Sequence, residues 1–70
     1  MYNDYLYILS TNLCRICDEK NVSIFQLAEA IDKSPRQISR YRNGQCSNIS
    51  LSTLVKISKY LDISLVELLL

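Results

Sequence analysis

The sequence predicts an all-α protein, a compact five-helix bundle in a single domain covering residues 1–70. Apolar residues recur every three or four positions in successive stretches, which is the period of an amphipathic helix. Serines that can act as N-caps precede most of these stretches, and no stretch carries the signal of a strand. With 49% hydrophobic residues, one Gly and one Pro, the chain can build one small core and has no long linker.

The first two helices are expected over about residues 3–20 and 24–31. The apolar positions of the first step by three or four residues: Leu6, Leu9, Leu13 and Ile16. Asn21 can end this helix in the left-handed conformation, and Ser23 is the expected N-cap of the second. The second helix has one apolar face: Ile24, Leu27, Ala28 and Ile31.

A third helix is expected over about residues 35–43, after a tight break at Asp32 and Lys33. Ser34 can cap it, and Pro35 suits the first helical position because the missing N–H has no partner there in any helix. Asn43 and Gly44 then stop it, and residues 44–50 form a polar surface loop.

The last two helices are expected over about residues 51–61 and 65–70. Ser50 or Ser52 starts the first of these, whose helical period includes Leu51, Leu54, Val55, Ile57, Ser58 and Leu61. Asp62 can close it. Ser64 and Glu67 have the Ser-x-x-Glu spacing of a capping box at the start of the last helix.

The composition excludes several classes of function. No apolar run approaches the roughly 18 residues that span a bilayer, and the N-terminus does not resemble a signal peptide, so a soluble, cytoplasmic protein is expected. The chain contains no His, no carboxylate pair stands out, and no serine lies in a hydrolase motif, so we expect no enzyme activity. Cys14, Cys17 and Cys46 are too few ligands for a structural zinc site, and we expect free thiols, no metal and no cofactor.

The charges are strongly polarised along the chain, although the net charge is only +1. The stretch from Lys33 to Leu61 has a charge of +6 and contains no acidic residue, while the remaining residues sum to −5. The basic residues of the stretch are Lys33, Arg36, Arg40, Arg42, Lys56 and Lys59. A basic region of this kind is typical of nucleic-acid binding when a suitable motif accompanies it, and otherwise of a solvated face.

Two short helices joined by a break of about three residues, the second carrying exposed basic side chains, form the layout of a DNA-reading helix-turn-helix. Residues 13–69 resemble the phage repressor (Cro and cI, also called XRE) helix-turn-helix family. The resemblance lies in segments 19–23, 26–31, 38–44, 51–58 and 61–69. It implies a lambda-repressor-like DNA-binding domain, a bundle of about five helices with the helix-turn-helix at its centre.

Three departures from the family pattern matter for function. The family usually begins its second helix with a Gln that clamps a phosphate, and this chain has Ile24 there. The family often pairs an Arg of the first helix with a Glu of the recognition helix, and the matching residues are Cys17 and Arg42. Losing both partners leaves no unpaired carboxylate, so we expect Arg42 to be free to face phosphate. The turn glycine is replaced by Asp32, which tolerates the left-handed conformation better than most residues.

The third helix supplies the candidate DNA contacts. Its helical period turns Ile38 and Tyr41 inward and leaves three side chains able to reach base edges, with Ser39 assisting: Arg36, Gln37 and Arg40. Arginine suits guanine and glutamine suits adenine. The residues expected to bind phosphate lie at the N-terminus of this helix or flank the groove: Ser34, Lys33, Arg42, Asn43 and Gln45.

The C-terminal segment is expected to form a dimer interface, because it has more apolar residues than one face of a short helix can bury. The interface residues are Leu65, Val66, Leu68, Leu69 and Leu70. The alternative is that these residues only close the core. Tyr2, Tyr5 and Tyr7 either cover the core or form a partner surface, and their spacing does not decide between the two.

The expected function is therefore sequence-specific binding of double-stranded DNA by a small transcriptional regulator, a dimeric repressor on a two-fold symmetric site. The chain is too short for a ligand-sensing domain, so no small-molecule ligand is expected. The alternative is a protein-protein interaction module that keeps the fold and uses Ile24, the tyrosines and the leucine-rich end as its surface.

Overall fold

A computed structural model describes residues 4–46 and 48–70. Within these residues the protein contains five α-helices and no strand, which confirms the all-α prediction. The helices are α1 (Asp4–Lys20), α2 (Ile24–Ile31), α3 (Pro35–Asn43), α4 (Leu51–Leu61) and α5 (Leu65–Leu69). The predictions for residue 3 and Tyr2 lie outside the described residues.

Serines begin four of the helices. The side chains of Ser23, Ser34, Ser50 and Ser64 each accept a hydrogen bond from the backbone N–H three residues later. At α2, α3 and α5 the side chain of the third helical residue also accepts a hydrogen bond from the backbone N–H of the capping serine, which completes a capping box. These caps satisfy N–H groups that the helices leave without partners, so the helix starts are specified locally by the sequence.

The first four helices end in left-handed residues: Asn21, Asp32, Gly44 and Asp62, with φ between 57° and 69°. In each case the next residue donates its N–H to a carbonyl five residues back, as Lys33 does to Ala28 at 2.9 Å. This is the bond that defines a Schellman ending, and it uses carbonyls that would otherwise be unpaired.

Three of the joins follow one pattern of a left-handed residue, a middle residue and a capping serine. These joins are residues 21–23, 32–34 and 62–64. The middle residues Val22 and Ile63 are partly buried and pack against the core. At the join between α2 and α3 the middle residue is instead Lys33, so this one turn presents a cation where the other two present an apolar side chain.

The core lies where α1 packs against α3, α4 and α5, and where α2 packs against α3 and α4. Its fully buried members include Leu9, Leu13, Leu27, Ile38, Ile57 and Leu68. The amide of Asn12 donates a hydrogen bond of 2.8 Å to the carbonyl of Leu68, which ties the end of α5 to α1.

Two predictions about apolar residues are wrong. Leu68, predicted as part of a dimer interface, is completely buried and belongs to the core, because α5 turns this side chain toward α1. Leu51, included in the helical period of α4, is 67% exposed at the first position of the helix, and the buried residues of α4 begin at Thr53. Among the N-terminal tyrosines, Tyr7 is exposed and does not cover the core, while Tyr5 is partly covered at 43% exposure.

Candidate DNA-binding surface

The orientation of α3 is set by residues on its inner face. Ile38 is fully buried and Tyr41 nearly so, and both lie in the core cluster where α3 packs on α1 and α2. Burying two large side chains on one face of a nine-residue helix leaves little freedom to rotate it. The opposite face of α3 is therefore presented to solvent in one defined orientation.

The solvent-facing side of α3 is polar and basic. Arg36, Arg40, Gln37 and Asn43 are exposed, and Ser39 is half-buried. The helix contains no acidic residue, and neither Arg36 nor Arg40 takes part in an ion pair within the described part of the chain. Both guanidinium groups are therefore available to an external acceptor such as a guanine edge or a phosphate.

Ser34 and Gln37 form a closed capping box at the start of α3. The backbone N–H of Ser34 donates to Oε1 of Gln37 at 3.0 Å, and its hydroxyl donates to the same oxygen at 3.3 Å. The backbone N–H of Gln37 donates to Oγ of Ser34 at 3.2 Å. Since both donors of Ser34 are used inside the cap, the prediction that Ser34 binds phosphate does not fit this arrangement.

Arg42 is held against α1 and is not free, contrary to the prediction. Its guanidinium lies 3.4 Å from Oδ1 of Asp18, and its side chain is only 20% exposed. The thiol of Cys14 donates a hydrogen bond of 3.2 Å to the backbone carbonyl of the same arginine. The last turn of α3 is thus fastened to α1 through both the side chain and the backbone of Arg42.

The flanks of α3 carry other predicted contacts. Lys33 stands at the turn before the helix, partly exposed, and Gln45 is exposed just after it. Gln45 also lines an open cleft of about 370 Å³ between α3 and the following loop. The lining residues are Gln37, Arg40, Tyr41, Gln45, Cys46 and Asn48. Asn48 was not predicted, because an exposed asparagine in a polar loop gives no signal that it will line a cleft beside the exposed side of α3.

Of the three cysteines, Cys17 is buried, and Cys14 and Cys46 are partly buried. Cys14, Cys17 and Cys46 are free thiols, and the described residues contain no group of three ligands that could hold a metal ion. Burial raises the pKa of the Cys17 thiol, and the nearby Arg42 offsets only part of that effect. Burial likewise raises the pKa of Cys46 and of Tyr41. These groups stay neutral near pH 7, as buried side chains should.

No helix in the described part of the chain has both the length and the apolar character needed to cross a bilayer.

The two short helices α2 and α3, which pack together after a tight turn, and the basic outer face of α3 define a helix-turn-helix DNA-binding protein. The chain belongs to the Cro/C1-type HTH DNA-binding domain family, whose model matches residues 12–69. This confirms the family resemblance inferred from the sequence and supports DNA binding by a regulator. Comparison with curated proteins and with solved structures gave no significant match.

Proposed function

We propose that this protein binds specific double-stranded DNA sequences as a two-fold symmetric dimer, with α3 in the major groove, and that it represses transcription from the bound site. The observation that carries the proposal is the outer face of α3. Arg36 and Arg40 lie on it without ion-pair partners among residues 4–46 and 48–70, while the inner face of the same helix is fixed in the core.

The base contacts are assigned to Arg36, Gln37 and Arg40, with Ser39 beside them. An arginine can donate two hydrogen bonds to guanine, and each good bidentate contact discriminates against a wrong base by about 1 to 3 kcal/mol. Phosphate contacts are assigned to Lys33, Asn43 and Gln45, which flank the base-reading side chains and fix the register.

A second copy of the chain is proposed as the partner of α5. Val66 is 60% exposed and Leu70 is 87% exposed, and the partly buried Leu65 and Leu69 lie beside them. Two or three base-reading side chains give one monomer a short site, whereas a two-fold dimer doubles the contacts over two half-sites about one helical turn apart. A dimer bound across a promoter would compete with other proteins for that DNA, which is the simplest route to repression.

The experiment is selection of bound duplexes from a random DNA pool at near-physiological salt. Wild type is compared with an Arg36→Ala/Arg40→Ala variant and with a control, Lys56→Ala/Lys59→Ala. The control removes the same charge from exposed positions of α4. We expect a two-fold symmetric motif from wild type and from the control, and a relaxed or absent motif from the α3 variant. If wild type enriches no sequence, the proposal is wrong.

A protein-protein interaction module remains the second candidate, and exposed apolar side chains favour it. Phe25 is 71% exposed on α2, and Tyr60, 43% exposed, lines a groove on α4 with residues of α2. The two candidates differ in their response to salt. Affinity for DNA falls steeply as salt rises because counterions are released, whereas affinity for a protein through an apolar surface changes little.

A further inference from the structure

The side-chain amide of Gln37 is shared between the cap of α3 and the DNA-reading face. Its Oε1 atom accepts two hydrogen bonds from Ser34, one from the backbone N–H at 3.0 Å and one from the hydroxyl at 3.3 Å. An amide oxygen has two lone pairs, so both acceptor positions of this side chain are filled within the protein.

What remains for DNA is the Nε2 group, which has two N–H donors and no acceptor. Gln37 is exposed, and it lines the cleft beside α3 together with Arg40. The groups that Gln37 and Arg40 offer to an external partner are therefore all donors.

Recognition of adenine by glutamine requires both ends of the amide. The nitrogen donates to N7 of the base, and the oxygen accepts from the N6 amino group. At guanine, both major-groove atoms, N7 and O6, are acceptors. For Gln37 to bind adenine in the bidentate manner, Oε1 would have to leave Ser34, which would open the cap.

We propose that Gln37 is a donor-only specificity residue that selects guanine over adenine at one position of each half-site. This inference rests on the proposed sequence-specific binding, and it replaces the expectation that glutamine here reads adenine. The capping box fixes the direction of the amide before DNA arrives, so the selectivity is built into the free protein.

The variant that isolates the donor is Gln37→Glu. A glutamate keeps an oxygen that can accept from Ser34 and loses Nε2. The chain already has a glutamate in the same capping role at the start of α5, where Glu67 accepts from the backbone N–H of Ser64 at 3.2 Å. The matched control is Gln26→Glu, which makes the same change at the capping box of α2, where Oε1 of Gln26 accepts from the backbone N–H of Ser23 at 2.8 Å. Thermal unfolding should show that both variants fold.

Selection from a random DNA pool is then run on the three proteins. We expect a motif with a conserved guanine that the control retains. In the Gln37→Glu protein that preference should be lost or replaced by cytosine or adenine, whose amino groups suit an acceptor. A motif that is the same in all three proteins would overturn the assignment. It would also be overturned if the wild-type motif carried an adenine at the position that Gln37→Glu alters. Absence of any motif with wild type would overturn the proposed function together with this inference.

Base analogues test the contact atom by atom. Replacing the guanine of one half-site by 7-deazaguanine removes the N7 acceptor, whereas inosine keeps N7 and O6 and changes only the minor groove. Wild type should bind the 7-deazaguanine site roughly 2- to 12-fold more weakly, the range of one hydrogen bond, and should bind the inosine site normally. The Gln37→Glu protein should not distinguish 7-deazaguanine from guanine. An equal loss in both proteins would assign the contact to another residue and overturn the inference.

Discussion

The guanidinium of Arg42 lies 3.4 Å from the carboxylate of Asp18 and links the last turn of α3 to α1. Members of the Cro and cI helix-turn-helix family often join the same two helices with an arginine on the first helix and a glutamate on the recognition helix. Here the ion pair has the opposite polarity, and its acid lies one residue after Cys17. The connection between the two helices is retained, and its cation lies on α3 instead of α1.

This ion pair should contribute modestly to stability. Asp18 is 76% exposed at its side chain, so solvent screens the attraction, and we expect a coupling energy of about 0.2 to 1 kcal/mol. The measurement is a double-mutant cycle of Asp18→Asn and Arg42→Ala by urea unfolding. The exposed pair of Arg15 and Glu19 serves as the comparison and should couple no more strongly. Strictly additive effects of the two substitutions would show that the contact contributes nothing.

Gly44 should not tolerate an alanine. Its φ is +69°, and a Cβ atom built there would lie 3.3 Å from Oγ of Ser10. The left-handed conformation alone costs a residue with a side chain about 1 to 2 kcal/mol, so Gly44→Ala should lower the free energy of unfolding by at least that amount. Gly44→Asn should cost less, since asparagine already occupies this conformation at Asn21. Equal unfolding midpoints for the alanine variant and wild type would refute the argument.

Substitutions of Leu68 and Val66 should affect different properties, fold stability and self-association, although the two residues are only two positions apart. Leu68→Ala removes a fully buried side chain and should destabilise the fold by about 2 to 5 kcal/mol. Val66→Ser changes an exposed position, so it should weaken self-association and leave monomer stability nearly unchanged. Thermal unfolding measures the first effect, and sedimentation at several concentrations measures the second. A Phe25→Ser variant controls for the loss of any exposed apolar residue, and weaker association in that variant would place the dimer contact on α2.

Alkaline pH should destabilise the protein in part through Cys17. Burial raises the pKa of this thiol above 9.0 in the folded state, while in the unfolded chain the thiol ionises near its ordinary pKa. The stabilisation is therefore complete below about pH 9 and is lost as the pH rises toward the folded-state pKa. Denaturant unfolding between pH 7 and 10.5 should show a shallower decline for Cys17→Ala than for wild type. Parallel declines would mean that Cys17 does not contribute.

Lys33 should contribute to DNA affinity without contributing to sequence preference. Its position at the turn before α3 suits a phosphate, which carries no base information. We expect Lys33→Ala to weaken binding to all sequences similarly and to reduce the slope of log affinity against log salt by about 1 for each half-site, or about 2 for the dimer. Lys20→Ala, which removes the same charge from the end of α1, should leave the slope nearly unchanged. A changed motif with an unchanged slope would make Lys33 a base-reading residue instead.

The parts of the fold that the sequence predicted are those determined by local interactions. A capping serine specifies a helix start through bonds to residues within the next turn, and a left-handed Asn, Asp or Gly specifies an end in the same way. The spacing of Ser34 and Gln37 carried the same signal as that of Ser64 and Glu67. The sequence predicts Ser34 as the cap of α3 and Gln37 as a base contact, and the hydrogen bond that joins the cap to the Gln37 side chain is missing from that prediction.

The predictions that failed depend on how the helices cross. Arg42 and Asp18 are 24 residues apart in the chain, and nothing in the spacing of either helix indicates that they meet. The burial of Leu68 likewise depends on the packing of α5 against α1. An apolar segment of six residues shows that some side chains must be covered, but only the packed structure shows which ones.

Apart from Gln37, which belongs to the cap, the side chains of α3 that would contact DNA take no part in the cap or in the buried inner face. Among the described residues, no side-chain hydrogen bond involves Arg36, Ser39, Arg40 or Asn43. Selection can therefore replace these four residues without disturbing the caps or the core. A lineage of such proteins could acquire new target sites rapidly while its fold stays constant, and a library randomised at the four positions should yield mostly folded proteins with divergent target preferences.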